Sequence, residues 1–309
     1  MTSPARQAGY RLFGSAFDYI LHCRPAEWPI MTAHTALGYL LAVGVPGALR
    51  GEHLGPALLA LVLWVVLLNG GTLALNSAFD RDQGDIGYLK APPPVPRHLG
   101  LVGFGLMAAG QALAFRLPSG FIWAYAVCLA MSVAYSVPPI RLKAVAGADW
   151  LINMLGFGTL TPYAGYAATG RPLDPAHALV LVAFCPLFAS LYPLTQLYQF
   201  DADQRRGDRT LALILGIRRS LLVSVTAAVA AFLLLAIAGW LAGWGSGPVD
   251  LGRWAALGVA GLAWARVLVP WLKHHERMTA AEHQAGMYAA LAAWAVTDVV
   301  VIVGWGVYS

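Results

Sequence analysis

Nine long apolar stretches, joined by short polar connections, leave this chain few ways to fold. They run approximately Trp28 to Leu49, Pro56 to Phe79, Leu99 to Leu117, Phe121 to Pro138, Trp150 to Ala168, Ala176 to Gln199, Leu221 to Gly243, Leu251 to Leu272 and Glu282 to Tyr308. Crossing about 30 Å of hydrocarbon as a helix takes roughly 17 to 25 residues, which each stretch supplies. In lipid every backbone polar group must be satisfied internally, and a helix does this within one segment. With 59% hydrophobic and 11% charged residues over 309 positions, and a mean hydropathy of +0.63, too little polar surface remains to coat a soluble domain. The prediction is an all-α membrane protein of nine transmembrane helices. Residues 1–27 form an amino-terminal segment and residues 28–309 a single transmembrane domain.

Basic residues set the expected orientation. The amino-terminal segment and every second connection carry Arg6, Arg11 and Arg24; Arg81, Lys90 and Arg97; Arg141 and Lys143; five arginines between Arg205 and Arg219; and Lys273 with Arg277. The alternate connections hold only Arg50, Arg116, Arg171 and Arg253. That asymmetry places the amino terminus, and the connections after helices two, four, six and eight, in the cytoplasm. The net charge of +5 is thus mainly topological and lipid-facing, and nucleic acid is excluded as a partner. The first 27 residues include Arg6, Arg11, Asp18, Arg24 and Glu27 and lack a continuous apolar core, so no cleavable signal peptide is expected. Cys23, Cys128 and Cys185 are odd in number and far apart; they read as small buried apolar side chains rather than a disulfide framework or metal knuckle.

The dense polar clusters all fall on the predicted cytoplasmic side. The first is Asn76-Ser-Ala-Phe-Asp80-Arg-Asp82-Gln-Gly-Asp85, at the end of the second stretch. Three carboxylates and an amide are costly to gather where a membrane helix meets water, so they are expected to hold something charged. A Mg²⁺ ion with a phosphate is the natural candidate, because Mg²⁺ takes one or two carboxylates and completes its shell with water and substrate phosphate oxygens. Asn76 and Asp80 are one helical turn apart and can address one ion together. Asp85 would point elsewhere on a continuous helix, so Gly84 is expected to let the chain bend.

Two more clusters accompany it. Tyr192, Gln196, Gln199 and Asp203 form one polar stripe at helical spacing, which in a hydrophobic helix should face a cavity. Asp201 lies on the other side, and Gly207 is a helix stop before Asp208 and Arg209. Between helices four and five, Tyr135-Ser-Val-Pro138-Pro139-Ile-Arg141-Leu-Lys143 is followed by Gly147, Asp149 and Asn153. The prolines end the helix, and Arg141 and Lys143 follow at alternate positions of an expected extended segment, suited to clamping phosphate oxygens. The loop from Ile86 to His98 is stiffened by four prolines and serves either as a lid or as a rigid connector.

At these residues the chain resembles the UbiA superfamily of intramembrane prenyltransferases. Asn76 and Asp80 match the first Asn-x-x-x-Asp-x-x-x-Asp motif, Tyr135 to Lys143 with Gly156-Phe-Gly158 resembles the middle segment, and Asp203 with Gly207-Asp-Arg-Thr-Leu211 resembles the second aspartate-rich motif. The wording is nearer to lycopene elongase and chlorophyll synthase relatives than to ubiquinone-pathway enzymes. The resemblance implies a nine-helix bundle with a central chamber and motif loops at about 76–98, 135–150 and 196–219. It also implies two Mg²⁺ ions at the cytoplasmic face, a prenyl diphosphate donor and a hydrophobic acceptor. By that likeness Asn76, Asp80 and Asp85 serve one ion, with Asp82 in reserve, and Gln199 and Asp203 the other, with Asp201 and Asp208 as secondary candidates. Arg141, Lys143, Lys90 and Arg209 would hold the diphosphate. The sequence departs from the pattern where Gly84 stands at the last position of the first motif and Gln199 at the first of the second. Phe79, Tyr135, Phe157, Tyr163, Tyr192 and Tyr198 are aromatic faces available to a carbocation. Two other readings are a terpene cyclase of the same family, needing no acceptor, and a cation-coupled transporter with Asp298 and Arg266 as an intramembrane relay.

Overall fold

A computed structural model describes residues 4–80, 89–198, 200 and 210–307. The described architecture is all-helical. Two short helices, α1 (Pro4–Phe13) and α2 (Phe17–His22), lead into α3 (Trp28–Leu49) and α4 (Leu54–Asp80). Then come α5 (Leu99–Ala114), α6 (Ser119–Ser136), α7 (148–167), α8 (Pro175–Leu197), the short α9 (Leu211–Leu215), α10 (Ile217–Leu241), α11 (Pro248–His274) and α12 (Ala280–Gly306).

Seven of these, α3, α4, α6, α8, α10, α11 and α12, are long and apolar enough to cross a membrane. The chain is therefore an integral membrane protein. The other two expected stretches are also helical but differ from the seven. At 16 residues α5 spans about 24 Å, because Leu117-Pro118 stops it early. Helix α7 is diluted by Asp149, Asn153, Thr159 and Thr161, for a reason that the cavity beside it supplies.

Close helix crossings depend on glycine where lipid offers no hydrophobic drive between helices. At the crossing of α3 and α7 the backbones nearly touch: a Cβ on Gly38 would sit 1.6 Å from the Pro162 carbonyl oxygen, and one on Gly165 would sit 1.8 Å from that of Thr35. Around this crossing the core divides in two. One half gathers Leu37, Phe184, Trp264 and Trp294 from α3, α8, α11 and α12; the other gathers Trp64, Met107, Phe121 and Tyr125 from α4, α5 and α6. Helices α4 and α7 each contain a π-helical stretch, Val62–Asn69 and Met154–Leu160, the kind of widening that tends to occur at functional sites.

The amino-terminal segment is ordered against the bundle. Arg6 Nη1 donates to the carbonyls of Lys90 and Ala91, at 3.1 and 2.8 Å, so α1 grips the loop that follows the first aspartate cluster. Cys23 and Cys128 are buried as expected, whereas Cys185 is only half-buried. Burial pushes the Cys23 thiol up to about 11.

Candidate active site

Helix α4 delivers Asn76 and Asp80 to its polar end on one face. The Asp80 carboxylate contacts Lys143 Nζ and lies 3.5 Å from Arg141 Nη2, and Lys143 Nζ also donates to Asn76 Oδ1 at 3.3 Å. With its side chain only 8% exposed, Asp80 has left bulk water, where an unpaired carboxylate would be costly. Helix α6 stops at the cis Pro138-Pro139 bond, and the connection is not the extended segment expected. Arg141 takes a left-handed backbone (φ 36°) and Lys143 lies in a 3₁₀ turn, Leu142–Ala144. That tight turn, rather than an alternating strand, is what aims both cations at one carboxylate.

Two hard oxygens, Asp80 Oδ1 and Asn76 Oδ1, thus meet at a point that the structure fills with an ammonium group. That donor chemistry fits Mg²⁺. Among the described residues no group of three His, Cys, Asp or Glu side chains is placed to hold a metal. Asp82, Asp85, Gln199, Asp201, Asp203, Asp208 and Arg209, together with the bend expected at Gly84, lie outside the described residues. Lys90 is exposed, and its carbonyl is the part engaged, by Arg6.

Next to this point lies a cavity of about 390 Å³ bounded by α3, α4, α6, α7 and α8. Asn76, Tyr135, Asn153, Tyr192 and Thr195 make its polar end; Met31, Trp64, Leu68, Phe157 and Phe188 make apolar walls. Both π-helical stretches contribute lining residues, Trp64, Leu68 and Asn69 from one, Gly156 and Phe157 from the other. Of the polar residues that dilute α7, Asn153 and Thr161 line this space. Of the six aromatics singled out from the sequence, Tyr135, Phe157 and Tyr192 line the cavity; Phe79, Tyr163 and Tyr198 do not.

A residue that the sequence placed in the third cluster without a role sits at the rim. Asp149 is 4% exposed and accepts hydrogen bonds from Tyr192 Oη at 3.2 Å and the Gly147 backbone N–H at 2.9 Å. Asn153 Nδ2 donates to the Asp149 carbonyl at 2.7 Å. Asp149 thus ties the start of α7 to the end of α8. The i, i+4 spacing of Asp149 and Asn153 was its signal. Arg24 and Glu27, an ion pair at 3.6 Å, also border the cavity from the start of the first span. Gln196 leaves the predicted stripe: its Oε1 accepts the Ala212 backbone N–H at 3.0 Å, joining α8 to α9 across the second motif.

The proposed relay between Asp298 and Arg266 is not formed. Arg266 is exposed on the outer face of α11, while Asp298 Oδ1 lies 3.6 Å from Nδ1 of buried His34. His34 is packed against Phe184 and Trp294, its Nε2 is 3.3 Å from the Gly158 carbonyl, and it does not reach the cavity.

The model of the UbiA prenyltransferase family matches residues 31–288. The chain belongs to that family. It is thereby placed among the prenyltransferases. This UbiA member is 32% identical over 190 residues to the digeranylgeranylglyceryl phosphate synthase of Natronomonas pharaonis, a match spanning 58% of the chain and 67% of the relative. It is 27% identical over 199 residues to the lycopene elongase/hydratase of Haloarcula japonica, spanning 62% and 65%. Both matches thus cover about two thirds of the relatives' length, and neither relative is a ubiquinone-pathway protein by name. The fold resembles a UbiA homolog from Archaeoglobus fulgidus solved with DMAPP and Mg²⁺, with a TM-score of 0.63 at 18% identity over 92% of this chain and 99% of that one.

Proposed function

We propose that this UbiA member catalyses Mg²⁺-dependent transfer of a prenyl group from a prenyl diphosphate to a lipophilic acceptor, aromatic or polyene, within the membrane. The observation that carries this reading is the convergence of Asp80, Asn76, Lys143 and Arg141 beside a cavity with polar rim and apolar walls. A diphosphate needs the first half of that arrangement and an isoprenoid tail the second. A solved homolog bound to DMAPP and Mg²⁺ supports the donor class and the ion. The proposed bundle has nine spans, its amino terminus and site facing the cytoplasm.

Asn76, Asp80 and Asp85, with Asp82 in reserve, are proposed to hold one Mg²⁺. Gln199 and Asp203, with Asp201 or Asp208 supplying further charge, are proposed to hold a second. Bound there, the ions would neutralise charge on the leaving diphosphate. Lys143 and Arg141 supply fixed positive charge at the same place, with Lys90 and Arg209 as further diphosphate contacts. The C1–oxygen bond breaks with its electron pair leaving on the diphosphate. Phe157 and Phe188 present apolar and aromatic faces that keep water from the allylic cation until the acceptor's electron pair forms the new bond and its proton is lost.

The test is pyrophosphate release from C10 to C20 prenyl diphosphates, with and without candidate acceptors, using Asp80→Asn and a chelator as controls. Transfer requires Mg²⁺, an acceptor and Asp80. A cyclic hydrocarbon or alcohol formed from donor alone would replace transfer by cyclisation, and full turnover in chelator would remove the proposal altogether.

A further inference from the structure

Trp64 is the lining residue of α4 farthest from the polar end of the chamber. Along α4 the lining residues recur at helical spacing: Asn76, Leu73 and Thr72, Asn69 and Leu68, then Trp64. Beyond Trp64 no residue of α4 lines the cavity. The indole is 2% exposed, and its Nε1 donates to Thr161 Oγ1 on α7 at 3.2 Å, while Thr161 in turn donates to the Gly156 carbonyl at 2.8 Å. Behind it, Phe121 and Tyr125 stand with ring centroids 6.0 and 6.1 Å away. The floor is thus a large side chain, held laterally by a hydrogen bond across the bundle and backed by two more rings.

We infer that Trp64 is the residue that sets the upper limit on prenyl chain length. Twelve residues separate Asn76 from Trp64, so the chamber runs about 18 Å along α4 at 1.5 Å per residue. An extended chain advances about 1.2 Å per main-chain bond, as a peptide's three-bond repeat of roughly 3.5 Å shows, so a four-bond isoprene unit covers about 5 Å. With C1 near Asn76, the depth accommodates three to four units. A fifth meets the indole. A side chain clamped on one edge and backed on the other does not swing aside as a loose one would.

The inference rests on the proposed donor chemistry, and the test separates the two. The purified protein is titrated with Mg²⁺ and either inorganic pyrophosphate or C15, C20 and C25 prenyl diphosphates, and affinity is read by competition or thermal shift. For the native chain, affinity should rise to C15 or C20 and gain nothing at C25. Trp64→Ala opens the space in front of Phe121 and Tyr125, so its C25-to-C20 affinity ratio should rise at least tenfold while pyrophosphate affinity stays within twofold. Trp64→Leu should fall between the two, and Trp64→Phe should keep the native limit, so that loss of one fold-damaging variant still leaves a graded series. An unchanged C25-to-C20 ratio in every folded variant, or C25 binding best to the native chain, overturns the role of Trp64. Failure of every ligand, pyrophosphate included, to bind with Mg²⁺ overturns the donor proposal instead.

Discussion

Replacing Lys143 by Met separates charge from shape at the site. Met keeps an unbranched stem of similar length and removes the ammonium that contacts Asp80 and donates to Asn76. Asp80 is left 8% exposed with Arg141, 3.5 Å away and 43% exposed, as its remaining cation among the described residues. Breaking a buried pair by removing one partner costs about 3–5 kcal/mol. The Arg141 guanidinium and the 19% exposure of the Lys143 side chain put this case at the low end, about 3 kcal/mol. The effect on turnover is separate. Loss of one preorganised group at the developing diphosphate charge should lower kcat about 10²- to 10³-fold. The dependence on Mg²⁺ supplies a sign. Lys143 occupies the oxygens proposed for the ion, so its loss removes a competing cation, and the Mg²⁺ concentration for half-maximal activity should fall or stay level. Asp80→Asn removes a ligand and should raise it. Pyrophosphate release measured against Mg²⁺ concentration for both variants reads the two effects together. Native kcat in Lys143→Met, or a raised Mg²⁺ requirement matching that of Asp80→Asn, would refute a direct role for the ammonium in departure of the diphosphate.

Two further outcomes concern the scaffold. Gly38→Ala drives a Cβ into the Pro162 carbonyl and should destabilise by about 1–3 kcal/mol or more, whereas Gly105→Ala, with nothing within 4 Å of its Cβ, should be neutral or slightly stabilising in thermal unfolding; equal melting temperatures would contradict the close crossing. Between α3 and α4, Arg50 hydrogen-bonds the Glu52 carboxylate at 2.8 and 3.1 Å and Arg171 pairs with it at 2.6 Å, and the Arg50 bond above all holds its pKa below the ordinary glutamate value. A depressed acid stabilises above its unfolded pKa of 4.5 and loses that contribution as pH falls through the lower folded value. The melting-temperature gap between native protein and Glu52→Gln should therefore be present at neutral pH and vanish under acid; a gap that grows on acidification would reverse the sign.

Apolar length made the membrane class legible from sequence, because bilayer thickness and backbone hydrogen bonding leave little freedom. Asn76 and Asp80 were legible for a similar reason: the turn that separates them fixes their shared face. Arg141 and Lys143 were found as residues but given the wrong backbone, since nothing in Pro-Pro-Ile-Arg-Leu-Lys announces a left-handed arginine. Asp149 was named in the third cluster but its role was not, because its partner Tyr192 comes from another helix. Gln196 obeyed its period yet turned to cap α9, which a single helix's pattern does not contain. The pairing of Asp298 with His34 joins residues 264 positions apart and has no local trace.

The grip of Arg6 on the carbonyls of Lys90 and Ala91 makes α1 a brace for the chain at residues 90–91. Trimming or tagging that end is therefore not a neutral handling choice. A fusion that pulls α1 away releases the Lys90 and Ala91 carbonyls, so preparations differing only at their front end should differ in how they hold donor.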